Sequence, residues 1–263
     1  MSEGFKRRAT ALIALLVLLA AWEYASSAGY LKPYRFPAPS RIARAFMELV
    51  AVGFPRGVTI WAHTQTTIIR ILQGYAAALL LAIPLGFILG AVPVLEKLTN
   101  PLIVFCRSIA TLSLLPLVIV WFGTGETTKV ILIAYGCFWT MLSNVIAGVK
   151  YVDRTLISAA YTFGVKGPAL YWTVILPAAL PRIFTGARMA LGVGFMVIVG
   201  AEMIGTIQGL GALIMEARTF YRSDITIVGM LVIAVIGFVI STGLVRLEKI
   251  LIPWHTGLEG VRR

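Results

Sequence analysis

Six runs of about 20 apolar residues dominate this chain and restrict what it can fold into. A helix of about that length crosses about 30 Å of hydrocarbon, and only helices or closed barrels keep backbone polar groups paired there. The runs are 10–28, 68–91, 101–121, 130–149, 184–204 and 225–245. Together they cover 126 of 263 residues, yet they hold only five charged side chains: Glu23, Arg70, Arg107, Arg188 and Glu202. A soluble globule could not hide this much apolar surface, since 59% of residues are hydrophobic against about 45–50% in an ordinary soluble domain. Disorder is excluded by the same numbers, because disordered chains are poor in apolar residues and rich in charge. The sequence predicts an all-α, polytopic membrane bundle of six transmembrane helices, a single domain over 1–263. Lys6, Arg7 and Arg8 precede the first run as they would in a secretory signal, but that run is too long and lacks a small-residue cleavage site. It is read as a retained span.

The net charge of +12 would suggest nucleic acid in a soluble protein. Here the basic residues lie in short loops between the runs, where membrane orientation accounts for them. With the N-terminus inside, the cytoplasmic side receives twelve Lys and Arg, among them Lys97, Lys150, Arg154, Lys166, Arg182, Arg246, Lys249, Arg262 and Arg263. The outer side receives eight, including Arg41, Arg44, Lys129 and Arg222. The bias favours both termini in the cytoplasm. Cys106 and Cys137 sit in apolar runs without CxxC spacing and read as small core residues. His63 and His255 have no companions, so no metal site is predicted.

Between the first two runs, Pro37-Ala-Pro39 precedes Ser40, a good N-cap. Ile42, Ala45, Phe46 and Leu49 follow at helical spacing, which predicts a short amphipathic helix. Gly86 and Gly90 form a GxxxG after Pro84, and Gly186, Ala190 and Gly194 place small residues at every fourth position. Such faces let helix backbones approach closely, and Gly192-x-Gly194 also reads as packing. The segment 151–181 is too polar to cross. Asp153 is the expected N-cap of a helix over Arg154–Phe163, with Gly164 as its C′ stop. A second short helix is expected from Pro168 to Leu176, ended by Pro177. Two short helices on one side of a bundle suit docking to a soluble partner.

That segment also carries a recognisable pattern. Ser158-Ala-Ala-Tyr-Thr-Phe-Gly164, nine further residues, then Val174-Ile-Leu-Pro177 resembles the signature loop of binding-protein-dependent ABC-importer permeases. The family pattern is Glu-Ala-Ala, three residues, Gly, nine residues, Ile-x-Leu-Pro. Ala159, Ala160, Gly164, Leu176 and Pro177 match it, Val174 replaces Ile, and Ser158 stands where the family has Glu. The similarity runs from about Pro37 to His255. Leu115-Pro-Leu-Val-Ile-Val-Trp-Phe-Gly-Thr-Gly-Glu126, Ala201-Glu-Met-Ile-Gly205 and Gly209-Leu-Gly211 look like the nitrate, sulfonate, taurine and bicarbonate branch. Ile252-Pro-Trp-His255 is similar to taurine-type members. The stretch Arg107-Ser-Ile-Ala-Thr-Leu-Ser113 departs from that branch, which usually carries prolines there.

The resemblance implies a type I, MetI-like permease in a bacterial inner membrane. It implies a homodimer with two ATP-binding subunits and an extracytoplasmic substrate-binding protein. The 151–181 loop would supply the coupling helix seated in the ATPase, and ATP and Mg would belong to that partner, with no cofactor and no catalysis in this chain. The implied cargo is a small anion, taurine or another sulfonate first, nitrate next.

The residues themselves point the same way. Gly123-Thr-Gly-Glu-Thr-Thr-Lys129 lacks the GxxxxGK[ST] spacing of a phosphate loop and reads as a turn between spans. Intramembrane charge is costly and marks function by default, so Glu202, Met203 beside it, Arg107, Arg70 and Arg188 are the translocation-path candidates. A secondary transporter driven by an ion gradient is the alternative, but it would want inverted repeats and midplane carboxylates. No repeat is visible, and Glu202 is the only carboxylate in the last five runs. A membrane enzyme lacks any His/Asp, Ser/His or metal constellation.

Overall fold

Runs rich in leucine, alanine and isoleucine have good helix propensity, and in lipid no water competes for the backbone. A computed structural model describes residues 3–32 and 34–254, and every regular element among them is helical. The helices are α1 (Glu3–Ser27), α2 (Pro39–Ala51), α3 (Ile60–Ala91), α4 (Pro93–Ser108), α5 (Leu115–Phe122), α6 (Glu126–Lys150), α7 (Arg154–Thr162), α8 (Pro168–Leu170), α9 (Leu176–Glu202), α10 (Leu210–Thr219) and α11 (Ser223–Leu251). Four described stretches are long and apolar enough to cross a membrane: Ile60–Ala91, Glu126–Lys150, Pro168–Glu202 and Ser223–Leu251. The bent pair Pro93–Ser108 and Thr111–Phe122 makes a fifth if taken as one span. The expected first span, 10–28, lies almost wholly in α1 but is not among these stretches, so a count of six transmembrane helices is not established. The side chains of Lys6, Arg7 and Arg8, and all of His255, Arg262 and Arg263, lie outside the described residues.

Contacts divide the chain into two units, residues 1–66 with 206–234 and residues 67–205 with 235–263. In the first unit α2 forms as its pattern predicts and buries Ile42, Ala45 and Leu49, while Phe46 is exposed. Its start differs from expectation. Ala38 is the N-cap and Pro39 the first helical residue, because proline's fixed φ and missing N–H suit that position. Ser40 instead donates from its backbone N–H (3.0 Å) and its hydroxyl (2.7 Å) to the Glu23 carboxylate, which satisfies an orphan N–H of the first turn. Arg222 donates to Glu48 (2.7 Å) and to Asp224 (3.1 Å), which hold its guanidinium pKa above the ordinary arginine value. His63 is fully buried between backbone groups: Gly209 N–H donates to Nδ1 (3.1 Å), and Nε2 donates to the Phe54 carbonyl (3.0 Å).

The second unit is built on the pairing of α6 with α9, whose shared core includes Leu132, Met141, Val145, Ala190 and Ile198. The glycines explain how close the helices come. A Cβ at Gly186 would lie 2.5 Å from Asn144 Cβ, and one at Gly194 3.1 Å from Cys137 Sγ. Ala190 between them is fully buried. On α3, a Cβ at Gly86 would lie 2.7 Å from Val145, and one at Gly90 2.8 Å from Val149. Both small-residue faces are therefore seams against α6. Gly192 is a correction: a Cβ there would meet nothing within 4 Å, so it lies on no seam among the described residues.

Two expectations fail on backbone geometry. The third run, 101–121, is not one helix; α4 ends at Ser108, and the chain bends by 79° into a short 3-10 turn (Thr111–Leu114) and α5. Ile109 and Ala110 are extended, and no proline causes the break. Side chains satisfy the freed carbonyls: the Tyr135 hydroxyl donates to Cys106 O (2.8 Å), Ser108 to Val104 O (2.8 Å) and Ser113 to Ala110 O (2.6 Å). The second short helix after 151 also does not end at Pro177. A π-turn (Tyr171–Ile175) follows α8 and runs directly into α9, so Pro168–Glu202 is one continuous helical stretch. Pro177 is the second residue of α9, directly after the π-turn. Pro181 lies further inside the helix.

Candidate docking loop and solute cavity

Local signals build the docking loop. Asp153 caps α7 by accepting from Thr155 N–H (2.8 Å), and that bond holds its carboxyl below the usual aspartate pKa. At the other end Gly164 takes φ +81°, with Gly164 N–H bonded to Tyr161 O (3.0 Å) and Val165 N–H to Ala160 O (3.0 Å). This double bond pattern is a Schellman stop, which favours glycine at the left-handed residue. Of the sequence-predicted coupling residues, Ser158, Ala159 and Gly164 are exposed, and Ala160 is buried. Val174, Leu176 and Pro177 are half-buried, at the π-turn and the start of α9. Leu156, Tyr161 and Phe163 expose large apolar surface on the loop, Phe163 at 85%. An exposed apolar patch of that kind marks a protein or membrane interaction site.

The break between α4 and α5 opens the second feature, a cavity of about 350 Å³. Arg107 and Thr111 line it from the break, Tyr135, Gly136, Trp139 and Thr140 from α6, and Val193, Met196 and Val197 from α9. Gly136 keeps it open, because a Cβ there would press on Thr111 Oγ1 (3.3 Å) and on Val193 and Val197 (3.2 Å each). Tyr135 and Trp139 meet edge to face, with ring centroids 5.9 Å apart.

A third feature gathers charge. Arg70 of α3 is buried and donates to Glu202 (2.7 Å) and, bidentately, to Glu126 at the start of α6 (2.6 Å for Nη2). Thr67 donates its hydroxyl to the Glu202 carboxylate (2.9 Å). Lys129 reaches Thr124 O (3.0 Å) and lies 3.7 Å from Glu126. The structure thus joins two path candidates, Arg70 and Glu202, to each other. It separates the rest: Arg107 is in the cavity, Met203 caps α9, and Arg188 pairs with Glu248 of α11 at 3.2 Å. Thr67, Glu126, Tyr135, Gly136 and Trp139 escape sequence reasoning. Glu126 carried the one available signal, an acid in the first turn of a span. Among the described residues no group of three or more His, Cys, Asp or Glu could hold a metal ion.

Residues 82–256 match the family described as binding-protein-dependent transport system inner membrane component. The chain is 36% identical to the taurine transport system permease protein of Escherichia coli strain K12, over 92% of this chain and 88% of that one. It is 32% identical to a putative aliphatic sulfonates transport permease protein of Bacillus subtilis strain 168, over 93% and 87%. It is 29% identical to a bicarbonate transport system permease protein of Synechocystis, over 92% and 88%. Its fold is similar to a chain of the MetNI methionine ABC transporter in inward-facing crystals, with TM-score 0.61, 18% identity, and coverage of 72% of this chain and 96% of that one. The chain belongs to the inner-membrane permease family of binding-protein-dependent ABC transporters, within the branch that includes taurine, sulfonate and bicarbonate permeases.

Proposed function

We propose that this chain is the permease of an ATP-driven importer for a small anion, a sulfonate such as taurine first, nitrate or another small organic anion next. The observation that carries this reading is the capped and glycine-stopped α7, which displays Ser158, Ala159 and Phe163 on an apolar, exposed loop. Two copies of the chain would take two ATPase subunits through the 151–181 loop, and a binding protein would deliver the solute outside. ATP and Mg would act in the ATPase, with both termini of the permease cytoplasmic. Closure of the ATPases would move α7, and with it α6 and α9, the long helices on either side of it in sequence. Such a switch does work only if the two access states bind the solute with different affinity. Arg107, Arg70, Arg188, Glu202 and Met203 are the path candidates in this reading.

The test is co-purification of the tagged permease with its ATPase, for wild type and Gly164→Val. A β-branched residue at φ +81° costs about 1–2 kcal/mol in the backbone alone, while nothing lies within 4 Å to clash. We expect ATPase capture by wild type, its loss in the variant, and ATP-dependent uptake in proteoliposomes. Uptake that follows an ion gradient and ignores ATP would replace this reading with a secondary transporter.

A further inference from the structure

We infer that the cavity at the α4–α5 break is a solute subsite within the permease itself, one that takes the oxyanion head of a small sulfonate. The inference rests on the importer reading above and adds to it where the solute is held. Three donors line this cavity without a well-formed hydrogen bond among the described residues. The Arg107 guanidinium makes no hydrogen bond or ion pair there. The Thr111 hydroxyl makes none either. The Trp139 indole N–H is buried and makes no well-formed hydrogen bond; it only weakly engages the Tyr135 hydroxyl, which itself donates to Cys106 O. Arg107 is exposed and Thr111 half-buried, whereas the Trp139 N–H is buried; buried donors are nearly always paired, so one left over beside a cavity marks a place where a ligand supplies the acceptor.

The lining contains no Asp or Glu, so the charge it offers is positive only. At about 350 Å³ it is at the small end of ligand pockets, about 300–1,000 Å³, which suits a solute of few heavy atoms. Val193, Met196 and Val197 close one wall and would meet a short alkyl tail. A planar guanidinium with further N–H and O–H donors around an oxyanion is the arrangement that recognises sulfonate or phosphate. A free sulfonate and a lipid phosphate share this chemistry; the cavity's size and short apolar wall favour the free solute.

The measurement is equilibrium binding of radiolabelled ethanesulfonate to the permease–ATPase complex in phosphatidylcholine nanodiscs, with the binding protein omitted. Wild type is compared with Arg107→Gln, Arg107→Lys and Trp139→Phe, each first shown to retain its ATPase. We expect saturable binding by wild type and about tenfold weaker binding by Arg107→Gln, the loss of one charge-assisted contact. Arg107→Lys should fall between the two, because it keeps the charge but loses the planar fork. Trp139→Phe should weaken binding several-fold while keeping the ring, and it serves if Arg107→Gln does not assemble. Equal binding by wild type and both neutral variants overturns the subsite. So does binding lost from Arg107→Gln only together with a co-purified anionic lipid. ATP-driven uptake by wild type is measured in parallel in proteoliposomes, with the binding protein present. Uptake without binding ends the subsite alone; absence of uptake ends the importer reading.

Discussion

Asp153 acts through one hydrogen bond, to Thr155 N–H, and that bond lowers its carboxyl pKa from the ordinary 3.8. Because the folded value is the lower one, its stabilisation is fully present above the unfolded value and is lost as pH falls through the folded one. The cap is therefore complete at neutrality and down to about pH 5. Asp153→Ala should weaken ATPase binding several-fold, and Asp153→Asn should weaken it much less because the amide oxygen still accepts. Titration of the ATPase onto permease nanodiscs reads this. Glu202 is a different case, since it is fully buried and bonded to both Arg70 and Thr67. Glu202→Gln should cost about 3 kcal/mol, at the low end for breaking a buried pair, because Glu126 still holds Arg70. The double change Arg70→Met with Glu202→Leu should be milder than Glu202→Gln alone, since it strands no buried charge. Melting temperatures in detergent decide; a milder single change would show that the pair adds nothing.

At the scale of elements, α9 offers a paired experiment on one helix. Gly186→Ala drives a Cβ to 2.5 Å from Asn144 Cβ, which over-packs the α6 seam and should cost about 1–3 kcal/mol. Gly192→Ala meets open space and should gain about 0.5–1 kcal/mol from helix propensity. Thermal unfolding of the two variants should move in opposite directions. The GxxxG spacing was legible in the sequence, but Gly192 and Gly194 differ by only two positions. Two residues along a helix rotate a side chain about 200°, so only the partner helix tells seam from open face. The α4–α5 break has the opposite character. Its sequence, Arg107-Ser-Ile-Ala-Thr-Leu-Ser113, holds no proline or glycine, so no helix breaker announces it. Tyr135, on another helix, helps hold it by bonding Cys106 O.

For the molecule as a whole, the Lys and Arg bias sets a testable topology. Lys166→Cys, placed in a chain without Cys106 and Cys137, should react with an impermeant thiol reagent in inside-out vesicles and stay unlabelled in intact cells. Labelling from the outside would invert the orientation and put the docking loop beyond reach of any cytoplasmic ATPase. Met203 and Arg188 show how far sequence reading reaches at this scale. Their place in a span is legible in the sequence, while the cap that Met203 makes and the pairing of Arg188 with Glu248, 60 positions away, are not.

What the sequence determined by itself is local or compositional. The apolar runs become helices because each pairs its own backbone. α7 starts at Asp153 and stops at Gly164 because cap and left-handed turn are made within a few residues. What only the tertiary structure decided is where distant residues meet. Arg70 and Glu202 are 132 positions apart, and a buried charge declares that it has a partner without declaring which one. The cavity exists because a break in one segment, a glycine on α6 and three side chains on α9 leave space together. Empty volume is a property of the packed bundle and of no single residue, so no sequence pattern encodes it.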